Sequence, residues 1–282
     1  WIDDIGPEQM ADPSIPIGFS GVALGWLDDL EACERVAKRC RELTAAHTGL
    51  AATKLAIGSM SVITIERTGA WDQAALEYAQ AERVSIDGDF TAPYPYIALR
   101  RAYLLATQGK EAECHALRDL ALSGLNRRSP AIDHLDGCVR GMLELALGNH
   151  GRAAELLAGS AAIERRMGTL CSGLTSRFVD QFEASWWVGR AADLAAELVA
   201  FSALAESMVH PTMRATAARC EALLADADAM DEAFAEVLRL QGGMRNVFEA
   251  ARTEYLWGVR LRRARRKADA RGHLRAAEHQ FA

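Results

Sequence analysis

Near the end of the chain the apolar positions fall into two runs. Trp257, Leu261, Ala264 and Ala268 recur at i, i+4, i+7 and i+11, and Ala270, Leu274, Ala277 and Phe281 repeat the spacing. A period near 3.6 residues gathers each run on one helix face. Two amphipathic helices are predicted, with Asp269 between them placed to cap the second through its carboxylate. The same alternation of Ala- and Leu-rich arms with short breaks runs back through the chain. Seven segments align: LDDLEAC from Leu27, TGAWDQA from Thr68, QGKEAEC from Gln108, LGNHGRA from Leu147, VGRAADL from Val188, ADAMDEA from Ala227 and ADARGHL from Ala268. Their second positions, Asp28, Gly69, Gly109, Gly148, Gly189, Asp228 and Asp269, stand 41, 40, 39, 41, 39 and 41 residues apart. Gly or Asp at such a point ends one helix and opens the next, by accepting left-handed dihedrals or by capping.

A second regularity follows the first. Five residues after the anchors stand Cys33, Ala74, Cys114, Ala153, Leu194 and Ala233; twelve after stand Cys40, Ala81, Ala121, Ser160, Phe201 and Leu240. Small residues dominate the first four repeats, as close packing of each second helix on its first requires. Between repeats come breakers: Gly49, Asp87-Gly88, Pro93 with Pro95, Ser129-Pro130, His210-Pro211 and Gly242-Gly243. Ser129 before Pro130 is a good N-cap and N1 pair. About thirteen helices in antiparallel pairs are expected, and no stretch alternates with period two long enough to be a strand. The predicted fold is all-α: one superhelical solenoid of antiparallel helix pairs over residues 21–282, a single domain with period 39 to 41, after an irregular lead-in at residues 1–20.

Composition fits this reading: half of the 282 residues are apolar and a quarter charged. No apolar run approaches the ~20 residues of a membrane span, and no signal segment opens the chain, so a cytoplasmic location without membrane contact is expected. The start at Trp1 and the stop inside a helix suggest an excised piece of a longer polypeptide. Charge changes the picture more. The net charge is −6, yet residues 252–275 hold nine Arg or Lys against Glu254 and Asp269, which leaves −13 on the remainder. A general nucleic-acid binder would be basic over its contact face; this chain is a polarised module. Arg260, Arg262, Arg263, Arg266 and Lys267 point away from the predicted stripe. Solvation is their first explanation, and an interdomain or phosphate-contact surface is the second.

Catalytic patterns are sparse. The six cysteines form no CxxC pair, and Cys33, Cys40 and Cys114 fill slots held elsewhere by Ala, which reads as core packing rather than zinc. The seven histidines include no HExxH. DADAMDE from Asp226 begins like a calcium loop, but Met230 fills a ligand position and Asp231 stands where Gly is needed. Gly109-Lys110 lacks the Gly of a P-loop at the right spacing. No catalytic residue, metal or cofactor is expected in this chain.

The small positions resemble those of tetratricopeptide repeats (TPR), whose usual length is 34 residues; each repeat here is five to seven longer. The last segment, ARTEYLWGVRLRRARRKADARGHLRAAEHQF, resembles the one that closes the central helical region of large ATP-binding LuxR-family transcriptional regulators, the MalT-like group. Ala251, Arg252 and Thr253 match its "ART" helix, Gly258, Leu261, Arg262, Arg263 and Arg265 its G-x-x-LRR-x-R run, and Ala270, Arg271, Leu274 and Ala277 its AR-x-x-L-x-x-A helix. SWWVGRAADLAAEL and ARCEALLADADAMDEAF are also similar to the family's repeats. The resemblance implies a non-enzymatic sensor and oligomerisation domain. ATP would bind an N-terminal module and DNA a helix-turn-helix, both outside this chain. Expected partners are the regulator's other domains, further copies, and a small-molecule or protein effector. A general TPR-like scaffold for protein partners is the alternative, and an enzyme on a helical-repeat frame a third.

In TPR-like pairs the first helix lines a concave face, at offsets −13, −10, −6 and −3 from the turn. Counting back gives Tyr96, Leu99, Tyr103 and Ala106 from Gly109; Leu135, Cys138, Met142 and Leu145 from Gly148; Ser176, Val179, Glu183 and Trp186 from Gly189. The candidate groove is therefore apolar and aromatic with one carboxylate, suited to a partner helix or hydrophobic effector. Core packing of the same residues is the competing expectation.

Overall fold

The computed structural model describes residues 24, 28–44, 66, 68–87, 94–168 and 177–281. Among them are twelve α-helices, one short 3-10 segment and no strand. The lead-in, Gly49, Gly88 and Pro93 lie outside the described residues. The chain divides into two compact units, residues 1–66 with 70–184 and residues 67–69 with 185–282.

The first unit holds α1 (Leu30–Thr44), α2 (Trp71–Asp87), α3 (Tyr94–Thr107), α4 (Glu111–Ser123), α5 (Pro130–Ala146), α6 (His150–Met167) and most of α7 (Arg177–Trp187). α3 packs on α2, on α4 and on α5, and α5 packs on α6. A helix thus touches its sequence neighbour and the next but one. Leu99, Ala102, Leu135, Leu157 and Phe182 form fully buried core, each Leu or Phe contributing about 1.5–3 kcal/mol by leaving water. The Ser129 hydroxyl accepts from Ile132 N at 3.3 Å, the cap expected from the sequence.

The second unit holds the 3-10 turn Ala191–Leu194, α8 (Ala195–Ser207), α9 (Pro211–Leu224), α10 (Met230–Gln241), α11 (Val247–Arg263) and α12 (Lys267–Phe281). α9 packs on α8, α10 and α11, and α11 on α10 and α12. Leu223, Met230, Phe234, Leu256 and Leu261 are fully buried. Beside them the Glu249 carboxylate lies between Arg219 and Arg252. Burial pushes its pKa up, but the two guanidiniums outweigh burial and hold it below the usual carboxylate range.

The turns show why these sequences break where they do. Asp28, Gly69, Gly109, Gly148 and Gly189 all have positive φ, between 63° and 81°. At Gly109 the amide donates to Ala106 O and Lys110 N to Leu105 O, both at 3.0 Å; Gly148 with Asn149 and Gly189 with Arg190 repeat the pair of bonds. This is the Schellman arrangement, which satisfies the last carbonyls of the first helix.

The sixth and seventh anchors differ from expectation. Asp228 and Asp269 are not left-handed; Arg265 is, with φ 63°, and it makes the same bonds, Arg265 N to Arg262 O at 3.0 Å and Arg266 N to Leu261 O at 2.9 Å. The last turn therefore lies four residues earlier than Asp269, which sits inside α12. Ala264 and Ala268, expected in the apolar stripe, are exposed. Close packing sets this register. A Cβ on Gly258 would stand 2.7 Å from Leu274 Cγ, so only glycine admits that side chain. Gly141 and Leu157 make the equivalent approach. In each pair the Gly is seven residues before the left-handed residue and the Leu nine after. Counted from Arg265, the small slots become Ala270 and Ala277, both buried like Cys33, Ala74, Cys114 and Ala153. In the sixth repeat Phe234 and Gln241 are buried rather than Ala233 and Leu240, a shift of one residue.

Candidate interaction surface

α11 begins at the Asn246 cap, whose side chain accepts from Glu249 N at 3.3 Å. Its C-terminal turn carries Arg260, Arg262 and Arg263, which favour the negative end of the helix dipole. The five basic residues named from the sequence then separate by role. Arg260 turns inward: Nη1 donates to Leu223 O at 2.6 Å and Nη2 to Ala225 O, closing the free carbonyls at the end of α9. Burial and the neighbouring Arg263 lower its pKa. Its expected place on the wet face is thus corrected, because the buried stripe runs through Leu256, Gly258 and Leu261 and leaves Arg260 at its edge.

Arg266 is also engaged, with Asp231 at 2.6 Å and Asp269 at 2.8 Å. Its hydrogen bond holds Asp231 below the usual carboxylate range. Asp231 in turn accepts from Trp257 Nε1 at 3.2 Å, and Trp257 stacks between Phe234 and His273 at centroid distances of 5.7 and 3.8 Å. The His273 ring contacts Glu254 at 2.6 Å. This polar and aromatic lattice fixes α10, α11 and α12 together.

Arg263 sits over two rings that stand edge-to-face, 4.2 Å from the Trp186 centroid and 4.8 Å from that of Trp187. Tyr255 extends the cluster, 6.3 Å from Trp187. Such cation–ring contacts attract the guanidinium without consuming its N–H donors. Arg262, Arg265 and Lys267 are exposed, and neither they nor Arg263 forms an ion pair with a described residue. Arg265 was absent from the sequence-derived set, since the turn had been placed at Asp269. The signal that finds it is Gly258, seven residues before the turn as Gly141 is before Gly148.

The candidate groove residues are mostly interior. Leu99, Leu135 and Met142 are buried in the first unit, as are Glu183 there and Trp186 in the second. Tyr103 is half-buried and donates to Asp180 Oδ2 at 2.6 Å. Tyr96 is exposed, its hydroxyl 3.3 Å from Ser129 Oγ. Among the described candidates the packing alternative covers all but Tyr96; Ser176 lies outside the described residues. Comparison of the chain with protein-family models, curated proteins and solved structures finds no match.

Two further sets carry reactive groups. His134, Cys138 and Ser160 meet in the first unit, Cys138 Sγ standing 3.3 Å from Ser160 Oγ and 3.7 Å from His134 Nε2. All three are at most 2% exposed, so they meet one another rather than a substrate. A cleft of about 440 Å³ at the α4–α5 turn is lined by Arg118, Arg127 and Arg128 with Asp119, Leu122 and Leu125. Arg118 is held by both oxygens of Asp136. Among the described residues no group of three His, Cys, Asp or Glu could hold a metal ion, and no helix is long and apolar enough to cross a membrane.

Proposed function

We propose that this chain is a helical-repeat interaction module, its helix pairs stacked as a TPR-like solenoid, and that it serves as the sensor and oligomerisation domain of an ATP-dependent LuxR-family regulator. The observation that supports the repeat reading is a unit that recurs around the left-handed residues Gly109, Gly148 and Arg265: Ala102, Gly141 or Gly258 seven residues before, and small buried residues five and twelve after. Packing of α3 on α5 and of α9 on α11, each skipping the intervening helix, supports it further.

Segment 251–281 points to the regulator within that class. Its ART helix contributes Ala251, Arg252 and Thr253, all buried, and its LRR-x-R run supplies the exposed basic turn. The reading assigns this chain no chemistry of its own. Effector or partner binding would shift the regulator between closed and active states by preferring one of them. The reading frame that encodes the chain tests this. A P-loop upstream and a helix-turn-helix downstream are expected; a frame with neither would reject the regulator and leave a scaffold for protein partners.

A further inference from the structure

Four cations without an ion-pair partner among the described residues crowd one turn: Arg262, Arg263, Arg265 and Lys267, spanning the α11–α12 connection. At the other end of the sequence, the turn that opens α1 carries Asp28, Asp29, Glu31 and Glu34 within seven residues. Asp29 and Glu31 are exposed, and Asp28 and Glu34 half-buried. We propose that the basic turn of one copy docks on the acidic first turn of a second copy, giving self-association. This goes beyond the regulator reading and does not depend on it, since a scaffold would associate in the same way.

Three observations favour this occupant. The two turns are complementary: Asp28, Asp29, Glu31 and Glu34 precede the first basic residue of α1, Arg35, and are opposite in charge to Arg262, Arg263, Arg265 and Lys267. Opposed patches steer encounter and fix register. Arg263 is already ordered by Trp186 and Trp187, so less side-chain freedom is lost on binding. Finally, the basic footprint is short and bordered by acids. Asp226 is close enough to act on the neighbouring Arg260, and Asp231 and Asp269 flank Arg266 directly. A duplex carries a phosphate charge every ~1.7 Å of its axis, and would run from the arginines onto these carboxylates. A single acidic turn fits the footprint without that repulsion.

Two different patches meet, so copies can extend as a chain or close as a reciprocal dimer in which each basic turn meets the other copy's acidic turn. Exposed charges are screened over about 8 Å at physiological salt, so the association is salt-sensitive. Sedimentation of the full chain at about 50 and about 300 mM NaCl tests it. At low salt the weight-average mass should climb with concentration from 30.7 kDa to at least twice that value. The association constant should fall at least about tenfold at the higher salt. Arg262→Glu with Lys267→Glu should abolish growth, as should Asp29→Asn with Glu31→Arg, where Asn keeps the helix cap. Mixing the two variants should restore association, an outcome that neither misfolding nor general charge loss produces. A monomer at every concentration in low salt overturns the proposal. So does a plateau at twice the chain mass that ignores the substitutions. A tight complex with duplex DNA, lost in Arg262→Glu with Lys267→Glu, would assign the basic turn to phosphate instead.

Discussion

Replacing Arg265 by glycine should stabilise the protein. Arg265 has φ 63°, where an L residue costs roughly 1–2 kcal/mol because its Cβ crowds the following carbonyl. Glycine removes that crowding but loses more chain entropy on folding, about 0.5–1 kcal/mol. The net gain is about 0.5–1 kcal/mol, and nothing offsets it, since Arg265 is exposed and has no ion pair among the described residues. The mirror substitution is Gly148→Ala. Gly148 has φ 81°, and a Cβ there would meet nothing within 4 Å. Its cost is therefore backbone strain alone, about 1 kcal/mol. Removing the Arg265 charge relieves like-charge repulsion, so Arg265→Ala serves as the control that keeps the Cβ. Urea denaturation followed by helical circular dichroism gives the differences. Arg265→Gly should exceed both the parent and Arg265→Ala, while Gly148→Ala falls below the parent. If Arg265→Gly and Arg265→Ala are equally stable, the turn is not strained at this position and the placement of the seventh anchor at Arg265 is wrong.

Other substitutions probe the packing. Gly141→Ala should destabilise by about 1–3 kcal/mol through the Leu157 side chain, and adding Leu157→Ala should cost less than in the parent; strict additivity in the double-mutant cycle would refute the close approach. Trp186→Ala, which opens the core beneath Arg263, should lower stability by about 3–5 kcal/mol; an unchanged melting midpoint would return Trp186 to the groove. Burial pushes the Cys114 thiol up to about 11. The unfolded thiol ionises near its ordinary value while the folded one stays protonated, so folding stability falls as pH rises from there toward 11, and Cys114→Ala should flatten that alkaline decline in a pH series of melting midpoints.

Much of this architecture was legible because it rests on local rules. Gly109, Gly148 and Gly189 mark left-handed turns in any sequence where helical arms flank them, and Ser129-Pro130 marks a helix start. The small slots were legible for the same reason, being fixed distances from those turns. The last two repeats were not. There Asp228 and Asp269 continue the numerical period, whereas the backbone follows the contact of Gly258 with Leu274, a pairing across sixteen residues that period counting does not weigh. The site suffered most from this error. A shift of four residues rotates a helix by about 40° beyond one turn, which carried Arg260 from the wet face to the carbonyls of α9 and hid Arg265 from the basic set. For the groove, the offsets fall on first helices, and Leu99, Leu135 and Met142 are what α3 and α5 bury against their neighbours, as the packing reading expects.

Among the described residues three non-glycines have left-handed φ: Val209, between two repeats, and Asp28 and Arg265, within the anchor series. Between the glycines of the middle repeats nothing but the backbone is at stake, and the cheapest residue occupies the position. The first and the last such turns in the anchor series instead hold Asp28 and Arg265, both at φ 63° and of opposite charge. Strain of this kind persists when the surrounding structure enforces it, and here the Schellman bonds to Arg262 O and Leu261 O do so. Arg260 and Arg266 in the same stretch are consumed in closing α9 and in binding Asp231 and Asp269. Arg265 serves no such internal purpose. A side chain that costs stability, is exposed and forms no ion pair among the described residues is accounted for by what it meets outside its own fold, and the test of that meeting is whether Arg265→Gly, while stabilising the chain, also weakens its self-association at low salt.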